Sequence, residues 1–402
     1  MNLVESILSK HKRSQHDEAF TLFQQLINDK EQLEQLRPTE LSQLLRVASL
    51  CCYFIGKPQL GLKLIDLYYL LRTNPTRNDC FDNLSFYIST VGQIDSFGNS
   101  PTNWIMEDEN GVKLSMTNAS SFSLKGKQYL LVRVINYQIR PSGYHFLDGS
   151  TTVKSRYVIC QIVDNQIDQF NFITVKSDHE VFSQLADKYQ GLEDLRPLVW
   201  RNRVKVFGSS ADVHPGKIGI FMADLDPDNL LIENVVPLIF SNGQVEKNWL
   251  PFISDDKLYC IYSFNPLIII RVYANGISKE VKRTHSLNDR YSLIGHRGGS
   301  IADIGTGYLI MTHYISTEPL FRYYYRRFVL MDYQFNLVAM SKPFCFEKKY
   351  IEYSLCLFQR QPDLFDIYYS VTDWGVRIVR LTRVEIDQML VPIDQYLDIS
   401  ME

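Results

Sequence analysis

The stretch that decides the fold is Gly191-Leu192-Glu193-Asp194-Leu195-Arg196-Pro197-Leu198-Val199-Trp200-Arg201-Asn202-Arg203-Val204-Lys205-Val206-Phe207. Its second half is strand-like, rich in β-branched and aromatic residues, with a hairpin signal at Val199 to Arg203. Its first half sets two carboxylates and an arginine between a polar, turn-like run and that strand. A strand end is where a rigid scaffold presents charged groups to a ligand. An arginine two residues from a carboxylate can hold it ionised and aim it. Taken alone, the heptapeptide reads equally well as a surface ion pair at a strand entry.

The same alternation continues on both sides of this stretch. Short β-branched and aromatic runs alternate with Gly, Asn, Asp and Pro turns: Gln128 to Val134, Tyr157 to Val163, Val204 to Ser209, Ile218 to Met222, Leu258 to Ser263, Leu267 to Tyr273, Gly307 to Tyr314, Arg327 to Tyr333, Phe365 to Ser370 and Val376 to Leu381. Further hairpin signals stand at Leu124 to Lys127 and Ile253 to Lys257. Regularly spaced short strands mean a sandwich, a barrel or a propeller. A stretch of roughly 270 residues is too long for one sandwich and suits a propeller of five blades.

Upstream, the period changes to that of helices. Glu18 to Ile27 and Leu41 to Phe54 place apolar residues at helical spacing, the second opened by Pro38-Thr39-Glu40. Gln59 to Leu71 and Asp82 to Ser89 are expected to follow, after a break at Gly56-Lys57-Pro58. Helix pairs with short turns resemble tetratricopeptide-type repeats, without a clean repeat length. The helices are read as a packing cap for the β region, ahead of a partner-binding groove or a homodimer surface. The expected fold class is therefore a multidomain α+β chain. It comprises a helical, repeat-like domain (1–95), a turn-rich linker (96–111), an all-β five-bladed propeller (112–385) and a tail (386–402).

Composition excludes several alternatives. With 45% hydrophobic and 22% charged residues the chain is an ordinary globular one. A net charge of −3 offers no global field for nucleic acid or anionic lipid. The 24 Tyr and 23 Phe suit β structure and sugar-stacking surfaces, and equally plain packing. Seven scattered cysteines with no C-x-x-C spacing suggest neither a disulfide framework nor a zinc site, and fit a reducing, cytoplasmic setting. No apolar run is long enough for a secretion signal or a membrane span.

Polar clusters recur at blade spacing: Arg133 with Asn136-Tyr137, Glu193-Asp194 with Arg196, Glu246-Lys247-Asn248-Trp249, Phe264-Asn265-Pro266, His296-Arg297-Gly298-Gly299-Ser300, Thr312-His313-Tyr314, and Thr372-Asp373-Trp374-Gly375. The inner ends of propeller blades converge on one axis, so such clusters would meet in one pocket. That pocket would hold few acids and many cations, with Gly298 and Gly299 letting backbone amides approach an anion. The combination suits a sugar beside a phosphate. Singly, Lys247 is better read as a solvated turn lysine, Trp249 as a packing aromatic and His313 as a core histidine. Their joint spacing is what argues for a site.

The order of these motifs resembles the five-bladed propeller superfamily of inverting β-mannoside phosphorylases and related mannosyltransferases, over about residues 115 to 385. Glu193-Asp194-Leu195-Arg196 is similar to that family's Glu-Asp-Pro-Arg motif, whose Asp is the catalytic acid. Arg297-Gly298-Gly299-Ser300, Gly307-Tyr308-Leu309 and His313 resemble its Gly-rich loop, strand and phosphate-contacting His. Asp366 to Asp373 resembles its closing strand. The helical region has no comparable match, but the fusion to a helical repeat looks more like glycosyltransferases of surface-glycan assembly than like catabolic phosphorylases.

The resemblance implies an inverting glycosyltransferase, a mannosyltransferase first. Phosphorolysis or hydrolysis of β-mannosides stands as the alternative, and a non-catalytic scaffold binding carbohydrate or protein as a third reading. Inverting hydrolysis needs two carboxylates, whereas a phosphate nucleophile or leaving group needs only one. Asp194 would move the proton, supported by Glu193 and Arg196. Lys247, Asn248, Arg297 and His313 would hold the donor phosphate. Arg133, Asn136, Tyr137, Asn265 and Asp373 would grip sugar hydroxyls, with Trp249 stacking on a ring. The donor is a sugar 1-phosphate or nucleotide sugar, the acceptor a carbohydrate, and neither a metal nor a cofactor is expected.

Overall fold

The computed structural model describes residues 3–29, 32, 35–36, 38–55, 57, 60, 64, 93–95, 105–140, 143–164, 166–176, 189–214, 217–240, 246–284, 293, 295–318, 321–341, 344, 346 and 351–393. They fall in two compact units. One is built from Met1–Thr90, Leu287–Ser292 and Pro343–Tyr350, the other from Val91–Ser286, Leu293–Lys342 and Ile351–Glu402.

In the first unit, helices α1 (Leu3–Lys12), α2 (His16–Asn28) and α3 (Pro38–Phe54) pack together. Helix α2 buries Ala19, Phe20, Phe23 and Leu26, and α3 buries Leu41, Leu44, Leu45, Ala48, Cys51 and Cys52. These are the three- and four-residue spacings of a helix with one apolar face, and they form one core cluster. Helix α1 went unforeseen because its ten residues bury only Val4 and Ile7, too few to show a period. The expected helices at 59–71 and 82–89 lie outside the described residues, apart from Leu60 and Leu64. No second copy of a helix pair is seen among the described residues. None of their helices is long and apolar enough to cross a membrane.

The second unit is built of strands paired mostly antiparallel in five groups, or sheets; the first two are continuous with each other through a parallel pairing of residues 189–191 with 153–155. Strands β1 (Gln93–Asp95) and β2 (Ile105–Glu107) precede the first sheet, which is made of β3 (Lys113–Leu124), β4 (Lys127–Ile135) and β7 (Val153–Val163). A small ribbon of β5 (Tyr137–Arg140) and β6 (Gly143–Phe146) is inserted within it, and β8 (Gln166–Ile167) and β9 (Asn171–Phe172) flank β7. After β10 (Thr174–Val175) comes the second sheet: β11 (Tyr189–Trp200), β12 (Arg203–His214), β13 (Lys217–Asp226) and β14 (Leu231–Pro237). The third holds β15 (Leu250–Ser254), β16 (Lys257–Phe264), β17 (Leu267–Val272) and β18 (Ser278–Thr284). The fourth holds β19 (His296–Asp303), β20 (Tyr308–Glu318), β21 (Phe321–Met331) and β22 (Leu337–Ser341). The fifth holds β23 (Glu352–Gln361), β24 (Leu364–Val371) and β25 (Trp374–Thr382), edged by β1.

The first strands of the five sheets, β3, β11, β15, β19 and β23, each pack against the next, and β23 packs against β3. The ring closes, and the fold is propeller-like. Apolar clusters fill the gaps between sheets, such as Leu131, Tyr157, Leu195, Val206 and Phe221 between the first two. Phe207, Met222, Trp249, Cys260 and Ile270 do so between the second and third.

The boundaries differ from those expected. Residues 93–95 and 105–107 are strands of this unit, where the sequence suggested the end of a helical domain and a linker. The tail begins with helix α4 (Arg383–Met389) and strand β26 (Leu390–Pro392), which pairs with β22.

Strand β11 shows how the site end is shaped. Its hairpin with β12 turns at Arg201 and Asn202, both left-handed with φ of 50° and 59°. At its other end, Gly191 pairs with Ser155 of β7 at φ +91°, and a Cβ there would lie 2.1 Å from the Ser155 carbonyl oxygen. Gly191→Ala is therefore expected to cost more than about 1 kcal/mol, combining a disfavoured φ with a backbone clash. Denaturant titration followed by tryptophan fluorescence checks it, and a wild-type midpoint would refute it.

Candidate active site

Four of the five first strands carry a bulge at a similar level. The register shifts lie between Thr117 and Ser120, Glu193 and Arg196, Gly298 and Ser300, and Ser354 and Cys356. A bulge bends a strand and re-aims its side chains. Asn118 and Asp194 sit in two of these bulges with φ of 47° and 55°. Left-handed backbone is tolerated by Asn and Asp, and such strain concentrates at functional sites. Here the two side chains meet, Asn118 Nδ2 donating to Asp194 Oδ1 at 3.1 Å. The amide of Leu195, freed by the bulge, donates to the Tyr157 hydroxyl at 2.9 Å.

Arg133 of β4 reaches both neighbouring acids. Its Nη1 lies 3.2 Å from Asp194 Oδ1 and its Nη2 3.2 Å from Glu193 Oε1, while Nε donates to Ser155 Oγ at 2.8 Å. Lys247 Nζ donates to the other Glu193 oxygen at 2.8 Å. Burial pushes the Glu193 carboxyl up, but Arg133 and Lys247 outweigh it and hold the group below the usual range. Glu193 thus has both oxygens tied to cations. Asp194 differs: both hydrogen bonds seen to its carboxylate among the described residues go to Oδ1, and its side chain is 16% exposed.

Arg196 forms the floor. Its guanidinium donates to the carbonyls of Asp194 (3.1 Å), Gly298 (3.1 Å) and Gly299 (3.3 Å), to Asn248 Oδ1 (3.1 Å) and to the Tyr353 hydroxyl (3.3 Å). Tyr353 in turn donates to Asn248 Oδ1 at 2.9 Å. One buried side chain therefore joins the second, third, fourth and fifth sheets. Arg196 also lines an open pocket of about 170 Å³, with Ser120, Leu250, Gly299 and Cys356. This changes the reading of Gly298 and Gly299. Their carbonyls face a cation, so they are not an amide nest for an anion. They are glycines because a Cβ would lie 2.8 Å from the Asn248 carbonyl oxygen and 2.7 Å from that of Met311.

Asp373 lies in the β24–β25 turn, where Tyr137 Oη donates to its Oδ2 at 3.3 Å. Burial pushes its carboxyl up, Arg133 and the Tyr137 hydrogen bond oppose this, and Asp194 and Glu193 add to it. The result is a pKa of about 6. An acid whose pKa rises on folding binds more protons folded than unfolded, so it weakens the fold as pH rises through the interval from about 4 to its folded value of about 6. Asp373→Asn is expected to melt at higher temperature than the wild type at pH 8, with the difference fading by pH 4. Equal melting temperatures at pH 8 would refute this.

The remaining expected residues divide. Arg297 is exposed and is the cross-strand partner of His313. His313 is only 2% exposed, with its Nδ1 lacking a partner among the described residues. Burial, then Arg196, Arg326 and Arg297, push its pKa well below the usual value, so it is a neutral imidazole and not a cation. Its ring centroid lies 5.1 Å from that of Tyr353. Three expected sugar contacts fall elsewhere. Asn136 is fully buried and holds the β5–β6 insertion, bonding Asp148, Ser150, Thr152 and Lys154. Trp249 is 2% exposed, packed in the apolar cluster with Phe240 and Tyr262. Asn265 opens a cis Asn-Pro hairpin at the end of β16, outside the hydrogen-bonded network. In the other direction, Asn118 and Tyr353 on first strands and Ser155 and Tyr157 on β7 belong to the network but lacked any signal, since single polar side chains within strands carry no motif.

No protein-family model matches the sequence, and no curated protein matches it. Among solved structures the chain is similar to a β-1,2-mannobiose phosphorylase from Listeria innocua, at 15% identity over 72% of this chain and 97% of that one, with a TM-score of 0.49. It is also similar to a GDP-Man-dependent mannosyltransferase from Leishmania mexicana (12%, 67% and 86%, TM-score 0.39). A third is a Bacillus subtilis arabinanase (7%, 67% and 94%, TM-score 0.42). At these identities and scores the likeness assigns no role to any residue here.

Proposed function

We propose that this chain is a carbohydrate-active enzyme that transfers a glycosyl group with inversion. The donor is a sugar 1-phosphate or nucleotide sugar, mannose being the first sugar to test, and the acceptor is a glycan hydroxyl. The observation that carries the proposal is the asymmetry of the paired acids. Glu193 is neutralised at both oxygens, whereas Asp194 is fixed through Oδ1 and keeps 16% of its side-chain surface exposed. A carboxylate held in that way is positioned to take the proton of an incoming hydroxyl.

The leaving phosphate would meet Arg297 and Lys247, the exposed cations of the site. His313 would donate a neutral hydrogen bond and Asn248 would orient the donor, while Arg133, Tyr137 and Asp373 would frame the sugar. Cleavage is the second reading, favoured by Asp373, a carboxyl near the acid pair that can be protonated close to neutrality.

The test has three arms: sugar 1-phosphates and nucleotide sugars with oligosaccharide acceptors, mannosides with phosphate, and mannosides in water alone, all followed by mass spectrometry. Product in the first arm is expected. Product only in the second or third would replace transfer by phosphorolysis or hydrolysis. No turnover in any arm, with ligands still bound, would favour a non-catalytic carbohydrate-binding role.

A further inference from the structure

Three side chains far apart in sequence meet in the helical unit. His11 stands in the last turn of α1, His16 is the first residue of α2, and Cys51 lies near the end of α3. Cys51 Sγ is 3.5 Å from His11 Nδ1 and 3.9 Å from His16 Nδ1. The two imidazole rings are 5.3 Å apart at an interplanar angle of 58°. All three ligand atoms lie within 4.8 Å of one another.

We propose that His11, His16 and Cys51 form a binding site for a divalent transition-metal cation of the zinc class, its fourth position open to water. The distances are those such a site needs. Zinc bonds of about 2.3 Å to sulfur and about 2.0 Å to nitrogen, at tetrahedral angles, separate sulfur from nitrogen by about 3.5 Å and the two nitrogens by about 3.3 Å. Both sulfur–nitrogen separations are already close to that, and small rotations of the half-buried imidazoles bring the nitrogens together.

The ligand set is one thiolate and two imidazoles, which suits zinc, cobalt and copper and not calcium or magnesium. Binding breaks the Sγ–H bond of Cys51: the sulfur electron pair goes to the metal and the proton to solvent. Since each ligand comes from a different helix, the metal would brace all three. No motif announces the site, because the two histidines and the cysteine are spaced 5 and 35 residues apart, unlike any short ligand motif.

The test uses the full-length, untagged chain, stripped with a chelator and titrated with Co²⁺. One equivalent is expected to bind, with a thiolate-to-cobalt charge-transfer band that Zn²⁺ abolishes, and zinc is expected to raise the melting temperature. Cys51→Ser should remove the band. His16→Gln, at a half-exposed position that leaves the core intact, should weaken cobalt binding at least tenfold while the helical circular dichroism is kept. Absence of the band in the wild type, or an unchanged titration in folded His16→Gln, would overturn the proposal.

Discussion

Asp194→Asn is expected to lower turnover by about 10²–10⁴-fold, the usual contribution of a positioned proton-transfer group. The substitution keeps size and hydrogen-bonding shape. Asn118 Nδ2 and Arg133 Nη1 still find an acceptor at the position of Oδ1, at the 3.1 and 3.2 Å seen for the carboxylate. Arg133 also keeps Glu193 as its counter-charge. What is lost is the ability of the second oxygen to take a proton. Ligand binding and the melting temperature should therefore stay near those of the wild type. The measurement is kcat in whichever arm of the substrate screen gives product, beside a binding isotherm. A variant that turns over at the wild-type rate would remove Asp194 from the mechanism.

The largest expected loss of stability lies in a different pair. Arg326 and Glu352 are fully buried, with Nη1 3.0 Å from Oε2 and a further Arg326 bond to the Glu352 carbonyl. They link the fourth sheet to the first strand of the fifth, beside Tyr353 of the site. Removing one partner strands a charge in a low dielectric, so Glu352→Gln should cost about 3–5 kcal/mol. That is a large share of the ~5–15 kcal/mol by which a folded unit usually exceeds its unfolded chain. The four tryptophans, Trp104, Trp200, Trp249 and Trp374, all belong to the β unit, so their fluorescence reports its unfolding alone. A midpoint shift worth less than about 1 kcal/mol would show that the pair is not an isolated buried charge couple. The double variant Arg326→Met with Glu352→Met should lose much less than Glu352→Gln, because the stranded charge is gone.

The two effects separate the roles of charge in this ring. Around Asp194 the charges are left partly open: one carboxylate oxygen makes no hydrogen bond among the described residues, and Arg297 is exposed. Around Glu352 every charge is consumed by its neighbour. Only the first arrangement can exchange a proton with something that enters.

The chain's own letters settled the repeating part of the fold. The ten strands legible in advance, from Gln128–Val134 to Val376–Leu381, are all second or third strands of a sheet. They face apolar neighbours on both sides, so their residues are β-branched and aromatic. Apart from the end of β11 at Leu198–Trp200, the first strands were not read as strands. Lys113–Leu124 buries Ser115, Thr117, Asn118, Ser120 and Ser121 around the axis, and His296–Asp303 needs two adjacent glycines. Polar, bulged and glycine-bearing, they lack the period that marks a strand.

The site followed the same division. Glu193, Asp194 and Arg196 stood out because charge beside a strand is visible in one dimension. Arg133 as the clamp on both acids, Arg196 as the bond between four sheets, and Asn136 and Trp249 as buried support were decided only by closure of the ring. Closure sets which side chains face the axis and which face the gap between sheets, and that depends on register and bulges contributed by residues far away in the chain, 157 positions between Arg196 and Tyr353 and 236 between Tyr137 and Asp373.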